Sequence, residues 1–386
     1  MNKLSVYGCK AIGRVIKLSV GDFKLFSCYL KELRMRLSSK KSFLLKISLF
    51  LLVYCLIFTS CDILDGGSDK QPASSGSSSE SSPAAASAPK SINLDEIASK
   101  PAVSLKYTTD APGELVDSSS SGDIDYSNTG DGYIMVRYTG DSTGDPTDTR
   151  LLIECVAGEY GRYQYFLPQD GKYYPFPLTE GDGLYIVSIL KRQEGSSFAQ
   201  LLATEVDARI ENEYLPFLIS HQKIVFTQDS LSVKLAAELT KEDSGVVNKV
   251  ESVYNYVIKN ISYDKDKAVA AANGELETYI PDNDKTLRAK NGICFDYATL
   301  TSAMLRSLDI PTRMVFGYAS VGDGAAPVYH AWISVYSSET GWIDNVIEFK
   351  SVGWTRMDPT FSSGANDKAM AAFIGDGDNY TEDLIY

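Results

Sequence analysis

The chain has 386 residues, 44% of them hydrophobic, which is enough for ordinary globular cores in two or three domains. Its 50 Asp and Glu outnumber its 37 Lys and Arg, giving a formal charge of −13. An acidic exterior argues against nucleic acid or other anionic polymers as partners, because their binding depends on Lys and Arg neutralising phosphates.

Residues 1–60 read as a leader outside those cores. Met1 to Arg34 carry no clear signal of their own, and Met35 is a candidate true start. Arg36, Lys40, Lys41 and Lys46 precede an unbroken apolar run from Leu49 to Phe58, which ends in Thr59-Ser60-Cys61. Such a run covers only about half the roughly 20 residues that a bilayer core requires, so it reads as a signal peptide. The small residues before Cys61 resemble the lipobox of bacterial lipoproteins, although Phe58 stands where an aliphatic residue is more usual. That resemblance implies lipidation of Cys61 and a lipid anchor at the outward face of the cell membrane or in the periplasm. An uncleaved membrane helix and ordinary secretion are the alternatives. The leader holds 11 of the Lys and Arg and 2 of the Asp and Glu, so residues 61–386 carry 26 basic against 48 acidic side chains, near −22.

Residues 61–91 shift to Ser, Gly, Ala and Pro, as in PASSGSSSESSPAAASAPK. With so little apolar surface the segment cannot offset the entropy of ordering and reads as a flexible tether.

Residues 92–225 are expected to form a β-rich, sandwich-like accessory domain. GYIMVRYT, RLLIECVA, RYQYFLP, YYPFPL, GLYIVSIL and FAQLLATEVDARI are strand-like runs separated by turn signals such as Gln169-Asp170-Gly171. Cys155 reads as a small buried apolar residue in one of them. Tyrosines 160, 163, 165, 173, 174 and 185 fit a carbohydrate- or peptide-binding surface and equally an aromatic core.

Residues 226–386 carry the chemistry. Ser230 is a plausible N-cap for a helix over Leu231 to Thr240, and Asp243 or Ser244 for a second with Val247, Val250, Tyr254, Val257, Ile258 and Ile261 at helical spacing. The glycine turn Asn291-Gly292 then opens a helical pattern that places Cys294 in its first turn. Backbone N–H groups at a helix start carry partial positive charge and favour a thiolate, which suits a nucleophile. The base has to come from His221 or His330, the two histidines of the chain. His330 lies in VYHAWISVY, which has strand period, whereas His221 sits in a mixed connecting segment with no obvious partner. Asp358 in WTRMDPTF is the best orienter of the imidazole, since Pro359 would end the strand as the carboxylate emerges. Asp344 is a runner-up; Asp296 is less favoured, being two helical positions from Cys294.

GICFDYATL, YHAWISV and MDPTF together resemble the transglutaminase-like superfamily, whose active-site logic is that of papain-type cysteine peptidases. The likeness runs from about Leu231 to Tyr386, and the whole layout is similar to its bacterial surface lipoproteins. It implies an α+β domain with a Cys294, His330, Asp358 triad acting on a protein or peptide substrate. Tyr263 falls upstream of Cys294 where family members often carry an aromatic residue, a possible oxyanion donor beside the Cys294 backbone N–H. Trp332 either walls the acyl site or fills core. The expected reaction is attack on a carboxamide or peptide carbonyl to give a thioester, followed by cross-linking to an amine or by hydrolysis. A cell-envelope cysteine peptidase and a non-catalytic adhesion scaffold on the same fold are the competing readings. No cofactor is required, no Cys or His spacing fits zinc, and the GDGD run of the tail lacks the spacing of an EF-hand loop.

Overall fold

The computed structural model describes residues 92–386, apart from 143, 194, 321–325, 344–346, 351, 365–373 and 375–378. The leader, Cys61, the tether, Asp344 and the GDGD run therefore lie outside the described residues.

After a short helix, α1 (Leu94–Ala98), the first half of the chain is strand. One antiparallel sheet has the order β1-β2-β3-β6, from Val116–Ser119, Gly122–Asp125, Tyr133–Tyr138 and Tyr174–Pro177. A second has the order β5-β4-β7-β8, from Tyr163–Phe166, Thr149–Cys155, Gly183–Arg192 and Phe198–Ala208. Alternation in β4 is what makes this a sandwich, since Thr149, Leu151, Ile153 and Cys155 are buried while the residues between them are half-buried. The two sheets meet where Tyr165 packs edge-on to Phe176 at 4.9 Å and where Gly122 lies against the Ile189 side chain. Tyr163, Tyr165 and Tyr185 are buried in this core, whereas Tyr160, Tyr173 and Tyr174 are half-buried. Cys155 is buried and free, and burial pushes its thiol pKa up.

Two helices follow, α2 (Leu231–Leu239) and α3 (Val246–Asn260), and neither is capped as the local sequence suggests. Ser230 precedes α2 but makes no capping bond; Asp284 reaches over from a later helix and accepts the N–H groups of Leu231 and Ser232 at 2.9 and 3.1 Å. Gly245, not Asp243 or Ser244, is the N-cap of α3, and Glu339 accepts the Val246 N–H at 2.8 Å. A carboxylate does this task better than a serine hydroxyl, because it adds charge at the positive end of the helix. Gly245 is needed there: its φ is +81°, and a Cβ would press on the Glu339 carboxylate. The buried face of α3 holds Val247, Val250, Val253, Tyr254, Val257 and Ile258.

The central element is α6 (Cys294–Arg306), reached through α4 (Lys265–Ala272) and α5 (Asn283–Ala289). It is buried nearly all round from Asp296 to Arg306, as expected of a helix enclosed by other elements rather than lying on a surface. It packs on a sheet of order β15-β12-β11-β16, made of Gly353–Met357, Val328–Ser337, Thr312–Ala319 and Tyr380–Ile385. Fully buried Arg306 fastens its far end. The guanidinium donates to the carbonyls of Thr312, Ile219 and Tyr386 at 2.8 to 3.0 Å, and burial lowers its pKa to about 9. These bonds tie the helix to β11, to the segment leaving the sandwich and to the end of β16, so the opposite end of α6 is held in place.

Candidate active site

At that opposite end the chain turns from α5 through Lys290, which has φ +54°, into the two-residue strand β10 (Asn291–Gly292). This strand pairs in parallel with β9 (Ser262–Tyr263), Gly292 opposite Tyr263. Gly292 cannot carry a side chain, because its Cβ would fall 2.6 Å from that of Asp296. Ile293 is extended and ends in a hydrocarbon, so it gives the first turn of α6 no side-chain cap. The first-turn N–H groups of α6, Cys294 among them, therefore take no bond from the Ile293 side chain.

Asp296 holds this helix start rather than acting on an imidazole. Its buried carboxylate accepts the Ile293 N–H at 2.8 Å, both oxygens meet Lys267 Nζ at 2.9 and 2.7 Å, and the Tyr279 hydroxyl donates to it. Charge compensation by Lys267 is what permits a carboxylate with no exposure to sit there.

His330 lies on β12 opposite Gly317, is 5% exposed, and stacks on Phe361 at 4.5 Å with rings 11° apart. Its Nε2 is 2.7 Å from Asp358 Oδ2. With Nε2 committed to the carboxylate, Nδ1 is the ring nitrogen left for a second partner, and Cys294 lies within electrostatic reach of this imidazole. Burial opposes a charged ring, but the charge and hydrogen bond of Asp358, then Cys294, raise its pKa from 6.5 to about 10. Asp358 follows directly on β15 and precedes α7 (Pro359–Gly364), so the carboxylate sits where the strand stops and a helix starts at proline. Its Oδ1 accepts the N–H groups of Thr360 and Phe361, each at 3.0 Å, and its Oδ2 also takes the Tyr380 hydroxyl at 3.0 Å. Four donors thus fix a residue with no exposure.

The structure joins His330 to Asp358 by a hydrogen bond and places Cys294 within electrostatic reach of the imidazole, with the sulfur's residue half-buried and the other two buried. Tyr263 is a half-buried residue on the strand beside β10, packed with Cys294 at the margin of the main core. Trp332 is fully buried with Phe217, Val315 and Tyr380, so it fills core, and its ring centroid lies 6.3 Å from that of His330. His221 is far from such a role: it is buried between Tyr165 and Tyr386, and burial first, then Arg306 and Lys223, hold its pKa well below 6.5. Tyr380, Lys267 and Tyr279 support the site without any sequence signal, because each acts through a partner remote along the chain, whereas Phe361 closes the MDPTF block. Among the described residues no group of three or more His, Cys, Asp or Glu could hold a metal ion.

A thiol at a helix start and an imidazole hydrogen-bonded to a buried carboxylate, on a mixed helix-and-sheet fold, are the group types that cysteine-histidine-aspartate acyl-transfer sites use. Residues 233–359 match the model of the Transglutaminase-like superfamily, and this part of the chain is a transglutaminase-like domain. Similar proteins include the uncharacterized protein YebA of Bacillus subtilis, 29% identical over 122 residues, covering 28% of this chain and 16% of that protein. A UPF0252 protein of Methanocaldococcus jannaschii is 27% identical over 154 residues, covering 39% and 42% respectively. An uncharacterized protein of Mycobacterium leprae is 30% identical over 154 residues, covering 36% and 48%. The chain thus spans less than half the length of each of these relatives. Among solved structures, a proposed cysteine protease of Cytophaga hutchinsonii is 17% identical with a TM-score of 0.33, covering 66% of this chain and 75% of that one. Red sea bream transglutaminase is 12% identical with a TM-score of 0.24, covering 59% and 48%. Both scores are low, and nothing about substrate follows from them.

Proposed function

We propose that the chain is a transglutaminase-like cysteine enzyme that acts on carboxamide or peptide carbonyls through a thioester. The observation that carries this reading is the 2.7 Å hydrogen bond of His330 to buried Asp358, with Cys294 at the start of α6 within electrostatic reach of the imidazole. Sγ of Cys294 attacks the carbonyl carbon with the thiol proton held on the His330 imidazolium, and the resulting oxyanion is met by the Cys294 backbone N–H at the start of α6. The tetrahedral centre collapses as the imidazolium returns the proton to the leaving ammonia or amine, so the C–N bond breaks and a thioester remains. Asp358 stabilises the imidazolium throughout. A primary amine then gives a cross-link and water gives hydrolysis. Incorporation of a dye-linked amine into exported proteins, run beside ammonia release, separates the two outcomes. If neither is detected across a broad set of glutamine-bearing proteins and peptides, the reading fails.

The same proposal places the enzyme outside the cell membrane, tethered through lipid on Cys61. Support comes from the sequence, where basic residues, an apolar run and a small-residue stretch lead to Cys61 and a Ser/Gly/Ala/Pro tether follows it. Radiolabelled fatty acid is expected to enter the wild-type protein and not Cys61→Ala; label that is absent from the former or equal in both rejects the anchor.

A further inference from the structure

The thiol opens beside a row of aromatic rings that the chemistry above leaves unused. Phe295 follows Cys294 directly and meets Phe316 edge-on at 5.0 Å. Phe316 stacks on Tyr329 at 6.0 Å, and Tyr329 meets Tyr318 edge-on at 5.3 Å. Tyr318 and Tyr329 face each other across β11 and β12; they neighbour the Gly317–His330 pair along the strands and project from the other face of the sheet. They are 46% and 52% exposed, so about half of each residue is in water. Scattered surface aromatics need no explanation, but a contiguous row does. This row is also stiff. The Tyr329 hydroxyl donates to Asp383 at 3.3 Å, and Phe316 rests edge-on against the buried ring of Tyr386 at 5.7 Å. Rings held in advance lose little freedom when a ligand covers them, which favours binding over mere exposure. The Tyr329 pKa is raised by burial first and then by Asp383, with the charge of Cys294 among the lesser causes, so thiol and ring lie within electrostatic reach.

We infer that Phe295, Phe316, Tyr329 and Tyr318 form the subsite for an aromatic or large apolar side chain of the acyl donor, beside the carbonyl that Cys294 attacks. The inference rests on the acyl-transfer reading. The occupant is a substrate chain because the row begins at the residue next to the nucleophile, where any donor must pass to bring its carbonyl to sulfur. Asp383 at the outer end disfavours an acidic neighbour on that donor.

Two alkylating probes test it on the full-length protein: chloroacetamide, and N-benzylchloroacetamide, which adds a phenyl ring. The rate of Cys294 modification is followed by peptide mass spectrometry, and each rate is divided by that of N-acetylcysteine with the same probe. Covering one phenyl ring is expected to give the benzyl probe an advantage of about tenfold in the wild type, falling to within about twofold of unity in Tyr329→Ala. Should circular dichroism find that variant unfolded, Tyr318→Ala carries the same expectation of a reduced ratio. Equal normalised rates in the wild type, or an advantage that survives in a folded variant, overturn the subsite. Cys294 reacting no faster than N-acetylcysteine with chloroacetamide itself overturns the acyl-transfer reading instead.

Discussion

Cys294→Ala is expected to abolish both amine incorporation and ammonia release, a loss of about 10⁴-fold or more, because the proposed thioester forms on the Cys294 sulfur. Cys155, the remaining free thiol among the described residues, cannot substitute, since it is buried in the sandwich and its pKa is pushed up by burial. His330→Ala should fail almost as completely, because the thiol then loses its proton acceptor. The variants nonetheless separate in an alkylation experiment. Chloroacetamide should label Cys294 in the His330→Ala protein at about the rate of an ordinary exposed thiol. In the wild type the rate should be higher at neutral pH and depend on the imidazole. Residual turnover in Cys294→Ala, or wild-type labelling kinetics in His330→Ala, would mean that sulfur and ring meet without working together.

Much of this arrangement is legible residue by residue, and the reason lies in short-range physics. The strand periods of the sandwich follow from alternation in runs such as TRLLIEC, and β4 buries alternate residues in step with it. The start of α6 at Cys294 follows from the glycine turn before it, and the end of β15 from Pro359. What the sequence does not disclose is contact between distant segments. Asp284 and Glu339 cap helices that lie 53 and 93 residues upstream, displacing the local serine and aspartate candidates. Arg306 reaches carbonyls 87 residues before it and 80 after it, which no periodicity encodes. Asp296 reads in one dimension as a less favoured orienter for His330, behind Asp358 and Asp344; its partners Lys267 and Tyr279 come from a helix and a loop that the α6 pattern does not mention. Trp332 looks the same from the sequence whether it walls a groove or fills a core, and only its burial beside Tyr380 decides for core. Tyr380 itself is reached after a long excursion of chain, yet it donates to the carboxylate at the centre of the site.

Asp358→Asn is the substitution in which these layers act together, and it is expected to cost about 10⁴-fold in turnover while keeping the fold. The amide oxygen can still accept the N–H groups of Thr360 and Phe361, as Oδ1 does now, which leaves the amide nitrogen facing His330 and Tyr380. Two donors cannot face each other across that gap, so Nε2 must give up its proton and accept one from the amide. Nδ1 then carries the proton and can no longer accept one from Cys294. Tyr380 can adapt by rotating its hydroxyl, so the fold survives better than in Asp358→Ala, where each buried donor stranded without an acceptor costs about 1–3 kcal/mol. Stability against pH gives an independent reading. The folded-state pKa of His330 is about 10 and lies above its unfolded value of 6.5, so the pair with Asp358 stabilises fully below the lower value and loses that contribution as pH rises through the upper one. Melting temperatures compared between pH 6 and pH 10 should therefore fall more steeply in the wild type than in Asp358→Asn. Turnover within tenfold of the wild type, together with an unchanged alkaline fall in melting temperature, would show that Asp358 neither sets the tautomer nor holds the charge of His330.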